Sequence, residues 1–293
     1  MNFEYLKPML LSEENKPFNS DDYIYEVKFD GIRAIIYIDD NEIIIKSRNN
    51  TILNDIFPEL INLKYITKKN CIFDGEIILM DKNKISFEKL KSRMNTKRKD
   101  KIVEYKNSLP VTFICFDIIY ENKDLSSLPL IKRKKILNKY KDNDYFVKSR
   151  IYDNGIKLFN IITKQELEGI VAKKKDSKYY IGKRTEEWIK IKRLNESDYY
   201  ICGYLEKENV VSLLLGEKVN NKYRFVSKVV LGKKREEYKI IKKCKQTNNY
   251  LTDFNEEEYI YIIPALICSV TYLEKTNNNH LRHPIFKELK TNT

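Results

Sequence analysis

Short runs rich in Ile, Val, Phe and Tyr recur along this chain, each closed off by Asn, Asp, Gly or Lys, and they leave few folds open. YIYEV, AIIYI, EIIIKS, CIFDGEIIL, VTFICFDIIY, GIVAKK and WIKIKR all read as β-strands. Between them, SFEKLKSRM places Phe87, Leu90 and Met94 at helical spacing behind Ser86, a residue suited to cap a helix. LPLIKRKKILNKY and DNGIKLFNIITKQE read the same way, so the first two thirds predict an α+β domain with antiparallel sheets and helices. After WIKIKR the pattern changes. YYICGYL, VVSLLLGEK, YRFVSKVVLG and IIPALICSVTYLEK are strand-like, with one helical insert, KREEYKIIKKC, and Gly203, Gly216 and Gly232 at turn or bulge positions. Such a succession of short strands predicts a small Greek-key β-barrel. The expected division is a domain of residues 1–195 followed by one of 196–293. The basic run KSRMNTKRKDK is expected to be a mobile surface loop.

At 293 residues and 42% hydrophobic content, the chain is long enough for a real core. Its 55 Lys and Arg against 42 Asp and Glu give a net charge of +13, which points to a polyanionic partner, nucleic acid before membrane. Five cysteines without a CxxC pair argue against a disulfide framework, and the two histidines, His280 and His283, are too few for a zinc site. A reducing cytoplasm fits. The opening MNFEYLKP lacks the apolar stretch of a secretory signal. YIYIIPALICSV is too short to span a bilayer and contains Pro264, so no membrane association is expected.

Residues 26–34, EVKFDGIRA, carry the first chemical signal. A Lys amine is a nucleophile only when neutral, which requires burial or cationic neighbours. Lys28 falls at a strand end, with Asp30 and Arg33 on the turn behind it, and Gly31 is expected to give that turn a conformation closed to other residues. Alone, the segment reads equally well as a charged hairpin. It is followed in order by SRN at 47–49, FDGEI at 73–77, FICFDIIY at 113–120, LEGIVAKK at 167–174 and WIKIK at 188–192. Strand alternation puts Trp188, Lys190 and Lys192 on one face and turns Ile189 and Ile191 towards a core. Two neighbouring ammonium groups call for an anion between them, such as a phosphate. A solvated edge strand is the alternative.

This ordered set resembles the covalent nucleotidyltransferase superfamily of ATP-dependent DNA ligases, RNA ligases and mRNA capping enzymes. It is most similar to the compact bacterial ATP-dependent DNA ligases, including the ligase domain used in end joining, and extends from YLKPMLL to LRHPIFKELK. The resemblance implies a nucleotidyltransferase (adenylation) domain followed by an OB-fold barrel. It makes Lys28 the residue that becomes linked to AMP. Glu26 would meet the adenine region through its backbone, Arg33 the nucleotide and then the nick phosphate, and Arg48 the phosphate or ribose near the nick. Glu76 would hold the ribose hydroxyls or a metal-bound water, Phe116 would stack on adenine, and Glu168 would position a divalent metal. Lys190 and Lys192 would grip the α-phosphate, while Asp30, Asp74 and Asp117 are left as turn or scaffold residues. Many relatives close with R-x-D-K to orient pyrophosphate. Here LRHPIFKELK offers Arg282 but no matching Asp.

The cofactors so implied are ATP and Mg²⁺ (or Mn²⁺). The implied partner is nicked double-stranded DNA bound without sequence preference, by a monomer in the bacterial cytoplasm or nucleoid, with a Ku-like or other repair protein as a candidate partner. A hinge near residues 194–198 would let the second domain swing during the cycle. The alternatives are an RNA ligase, a GTP-dependent capping-type enzyme, or a non-catalytic nucleic-acid-binding protein on the same scaffold. With 27 residues ahead of Lys28, an NAD-dependent relative, which needs an extra N-terminal module, is less expected.

Overall fold

In the computed structural model, residues 6–39, 42–232, 235–276 and 278–290 are described, and the chain divides into two compact units, Met1–Lys192 and Arg193–Thr293. The first unit contains strands β1 (Leu10–Glu14), β2 (Tyr23–Lys28), β3 (Ile32–Asp39), β4 (Glu42–Ser47) and β5 (Cys71–Asp81). It continues with β6 (Lys84–Ile85), β7 (Val111–Glu121), β8 (Phe146–Lys148), β9 (Gly169–Lys174) and β10 (Arg184–Lys192). One sheet has the order β1-β10-β9-β2, and a second runs β4-β3-β5-β7-β8 with β6 beside β5. Pairing is antiparallel except for β1 with β10 and β7 with β8. The helices are α1 (Phe87–Met94), α2 (Lys99–Ser108), α3 (Leu130–Leu137) and α4 (Gly155–Lys164). Ser86 caps α1 as expected, its hydroxyl accepting from the Lys89 N–H, and Asn154 caps α4 in the same way.

Apolar side chains from both sheets, among them Ile24, Ile35, Tyr37, Ile72 and Trp188, form one shared core with Met9 just ahead of β1. The second sheet packs its other face on Leu60 and Leu63 of a 3₁₀ turn (Pro58–Ile66) and on Leu90 of α1. The first sheet packs its other face on Leu158 and Ile162 of α4, using Tyr25, Ile170, Ala172 and Ile191. Covering both faces explains why β3, β5 and β7 read as near-continuous apolar runs instead of alternating ones. On β10, Trp188 enters the core shared by the sheets while Ile189 and Ile191 face α4, as the alternation requires.

Two expectations are corrected. KSRMNTKRKDK is no loop: its ends belong to α1 and α2, and Arg93 within it is buried. Its guanidinium donates to both Glu59 carboxylate oxygens and to the carbonyls of Ile56 and Leu109, which makes burial of the charge tolerable. Gly31 serves close approach, not a special backbone angle, since its φ lies outside the left-handed region. A Cβ there would lie 2.3 Å from the Ile77 carbonyl oxygen and 2.8 Å from Glu76 Cγ.

The second unit contains β11 (Asn195–Lys207), β12 (Val210–Val219), β13 (Lys222–Val230), β14 (Ile260–Tyr261), β15 (Ile267–Tyr272), β16 (Glu274–Lys275), β17 (Leu281–Arg282) and β18 (Ile285–Lys290), with helix α5 (Arg235–Lys242). The main sheet is antiparallel in the order β13-β12-β11-β15-β18, with β14 beside β11. Tyr199, Ile201, Leu213, Leu215, Val226 and Val270 share its core with Ile241 of α5. Gly203 and Gly216 sit at register shifts, and Gly232 has φ +71°. Among the described residues β13 and β18 form no ladder, because the chain leaves the sheet for α5 after β13, so the expected barrel is open by hydrogen bonding. No described helix is long and apolar enough to cross a membrane.

Candidate active site

The four-stranded sheet presents one face crowded with charge. Register places Glu13 opposite Lys190, Lys190 opposite Val171 and Val171 opposite Glu26; one step along, Lys192 lies opposite Gly169 and Gly169 opposite Lys28. Gly169 is needed there, because a Cβ would stand 2.2 Å from the Ile191 carbonyl oxygen. Lys28 Nζ donates to Glu168 Oε2 at 2.6 Å. The nearest charged neighbour of the expected nucleophile is therefore a carboxylate, not the cation that its chemistry suggested.

The six-stranded sheet faces these residues with Arg33, Glu76 and Phe116. Arg33 and Glu76 are register partners on β3 and β5. The Arg33 guanidinium grips Asp74 with two bonds of 2.8 and 2.6 Å and donates to the Met9 carbonyl at 3.1 Å, while the Tyr179 hydroxyl donates to Asp74 at 2.7 Å. Asp74 is thus the scaffold residue expected, and Asp117 likewise holds the buried Arg133. Phe116 is the extra residue of a β-bulge: Gly75 pairs with Cys115 and Asp74 with Asp117, leaving the ring between them unpaired. That bulge turns two consecutive side chains, Phe116 and Asp117, into the same region. The Arg33 guanidinium lies 4.8 Å from the Phe116 ring centre, and Lys173 Nζ lies 4.2 Å from the same ring and 4.3 Å from Trp188. Lys28, Glu26, Arg33, Glu76, Phe116, Lys173 and Trp188, with Leu11 and Val171, line one pocket.

Burial sets the charge states. It pushes the Glu76 carboxyl up to about 8, further helped by Glu168 and Asp74 and opposed by Lys28 and Arg33. Burial pushes the Lys173 amine down to about 8 against the pull of Glu26. Glu26 is buried between Lys134 and Lys173, with Lys173 at 3.1 Å, and burial would raise its carboxyl, but the two amines outweigh that and hold it below its ordinary value. Glu13 spans the other pair, 2.9 Å from Lys190 and 3.4 Å from Lys192.

Eight of the residues singled out from the sequence, Glu26, Lys28, Arg33, Glu76, Phe116, Glu168, Lys190 and Lys192, fall on or beside this pocket and the charged sheet face. Arg48 is exposed just past β4, its backbone N–H donating to the Arg33 carbonyl at 3.2 Å. Arg282 belongs to the second unit, where it donates to Glu274 at 2.8 Å. Sequence reasoning passed over Lys173, Lys134 and Glu13. Lys173 was legible, since it alternates with Val171 in LEGIVAKK; Glu13 carries no local signal. Among the described residues, no three of His, Cys, Asp and Glu gather as a metal cage. Glu76 and Glu168 beside Lys28 supply two carboxylates.

Comparison with known proteins agrees with this geometry. The ATP dependent DNA ligase domain family matches residues 8–192, and the ATP dependent DNA ligase C terminal region matches residues 206–293. The SPbeta prophage-derived DNA ligase-like protein LigB of Bacillus subtilis (strain 168) is 31% identical over 287 residues, 97% of this chain and 98% of that protein. The bifunctional non-homologous end joining protein LigD of the same organism is 32% identical over 219 residues, 68% of this chain but 35% of that longer protein. The ligase domain of M. tuberculosis LigD superposes with a TM-score of 0.61 at 24% identity, covering 99% of this chain and 96% of that one. A Lig E DNA ligase gives 0.65 at 17% identity, covering 96% and 99%. The fold is accordingly a nucleotidyltransferase domain followed by an OB-fold domain, as in those ligases. The chain belongs to the ATP-dependent DNA ligase family.

Proposed function

We propose that this protein is an ATP-dependent DNA ligase that seals nicks in duplex DNA, with Lys28 as the residue that carries AMP. The observation that supports this best is the position of one amine, Lys28, bonded to Glu168 and lining a pocket with the Phe116 and Trp188 rings, two further cations, Arg33 and Lys173, and the acidic side chains of Glu26 and Glu76. Glu168 holds the amine by a 2.6 Å hydrogen bond and is the nearest group able to take its proton. Lys28 Nζ then attacks the α-phosphorus of ATP, an N–P bond forms, and the bond to pyrophosphate breaks. Phe116, turned inward by its bulge, supplies a flat face for adenine. Lys190 and Lys192 grip the α-phosphate and Arg33 faces the nucleotide. AMP passes to the 5′-phosphate at the nick, with Arg48 near that phosphate, and the adjacent 3′-hydroxyl displaces it. Arg282 on the second domain serves the pyrophosphate in the first step.

Glu168, and Glu76 once it has lost the proton that burial favours, would hold Mg²⁺, whose other ligands would come from phosphates and water rather than a full protein cage. When bound, such an ion stabilises negative charge at phosphorus and on the leaving pyrophosphate.

Incubation with labelled ATP, GTP or NAD and Mg²⁺, followed by denaturation, is expected to leave an acid-labile AMP adduct from ATP only. An adduct from GTP, or none at all, contradicts the reading. Binding of nicked duplex is expected to weaken steeply with salt and to show no base preference, because phosphates make the contacts.

Lys173 gives a pH prediction. In the unfolded chain its amine keeps the ordinary value of 10.5, against about 8 when folded. Between those values the unfolded state binds more proton, so this residue makes folding more favourable as pH rises from about 8 towards 10.5, and its penalty is full below 8. Urea unfolding of wild type and Lys173→Met at pH 7.5 to 10 should therefore diverge, wild type gaining with pH. Parallel profiles would contradict the buried-amine assignment.

A further inference from the structure

The pair Lys190 and Lys192 called for an anion, and the fold supplies one from within. After Leu11 the ladder between β1 and β10 shifts: Leu11 pairs with Thr185 but Ser12 with Ile189, so residues 186–188 are bypassed and Glu13 arrives opposite Lys190. The Ser12 hydroxyl donates to the Trp188 carbonyl at 3.2 Å and helps fix that register. Glu13 Oε2 then lies 2.9 Å from Lys190 Nζ and Oε1 lies 3.4 Å from Lys192 Nζ, one oxygen for each ammonium. The Glu13 side chain is 48% exposed while the lysines are 21% and 23% exposed, so the carboxylate closes the cradle from its solvent side. Burial would raise the Glu13 carboxyl, but the two amines outweigh it and hold the group below its ordinary value, hence charged at neutral pH.

We infer that Glu13 is a built-in counter-anion that occupies the phosphate cradle and must be displaced by the α-phosphate of ATP, making the site reject free inorganic anions. This rests on the reading of Lys190 and Lys192 as phosphate ligands. A nucleotide brings its own anchorage, through the aromatic ring and the pocket, and so displaces a half-exposed carboxylate at small cost. Inorganic phosphate has only its charge to offer and must compete with a carboxylate tethered in register.

Glu13→Gln keeps the shape and removes the charge. In single-turnover adduct formation, the half-saturating ATP concentration, taken here as the KM, is expected to fall by about 3- to 10-fold, the size of effect that two partly exposed ion pairs can produce, with the limiting rate constant little changed. The inhibition constant for inorganic phosphate is expected to fall by a similar factor. A residue that merely held the lysines in place would give the opposite sign, a raised KM, when removed. The inference is overturned if Glu13→Gln raises the KM or leaves both it and phosphate inhibition unchanged. Lys190→Ala and Lys192→Ala are the companion variants: each must raise the KM for ATP. If neither does, the phosphate role of the lysines fails and the inference falls with it; if they do while Glu13→Gln is silent, only the inference falls. Thermal unfolding of each variant reports that the fold is intact.

Discussion

Lys28→Ala is expected to leave no AMP adduct on the protein, lowering adduct formation by at least about a thousandfold, because no other amine in the pocket is placed to replace the proposed nucleophile. Lys173, the nearest rival, is buried against Glu26 and covered by the Phe116 and Trp188 rings. The same variant should still join a nick that already bears a 5′-linked AMP, since that last step needs the 3′-hydroxyl and the phosphate-binding groups but not the Lys28 amine. The substitution leaves the Glu168 carboxylate, 9% exposed, without its ammonium, at a cost of about 1–3 kcal/mol. That is a tolerable loss against the usual reserve of about 5–15 kcal/mol, so the variant stays folded. Joining of an unmodified nick from ATP by Lys28→Ala would refute the assignment outright.

The second large effect is on the scaffold. Asp74→Ala is expected to cost about 3–5 kcal/mol, the range for breaking a buried ion pair by removing one partner. The side chain is fully buried and accepts both Arg33 bonds and the Tyr179 hydroxyl. In a unit of this size each kcal/mol moves the thermal midpoint by roughly 2–4 °C, so a drop of about 6–20 °C should be seen. Adduct formation should fall too, since the Arg33 guanidinium loses the fork that aims it across Phe116. A midpoint within a degree or two of wild type would show that water or a neighbouring group replaces the carboxylate.

Much of this was legible in advance, for identifiable reasons. Strands such as YIYEV and VTFICFDIIY are fixed by composition and punctuation, and α1 by Ser86 with Phe87, Leu90 and Met94 behind it; these are local signals. Lys28, Arg33, Glu76, Phe116 and Glu168 were reached through the order of short motifs, and the fold gathers them from two sheets. Charge partners were not legible. Glu13 meets Lys190 only because a parallel edge strand slips its register, and Glu26 meets Lys134 only because α3 packs across the sheet. Arg93 looked like part of a solvated basic run because nothing in KSRMNTKRKDK announces Glu59. Gly31 was noticed for the right position and the wrong cause: the constraint is the Ile77 carbonyl against it, a neighbour 46 places along the chain.

The irregular step at Phe116 sets regular strand pairing against the shape of the pocket. With that one residue deleted, Asp117 would still meet Asp74 directly beside the Gly75–Cys115 pair, leaving only the second shift, where Ile119 is bypassed between the Phe73–Ile118 and Ile72–Tyr120 pairs, and the pocket would lose the Phe116 ring. The number of residues in this strand, as much as their kind, is what a designer of a sturdier variant would have to leave untouched.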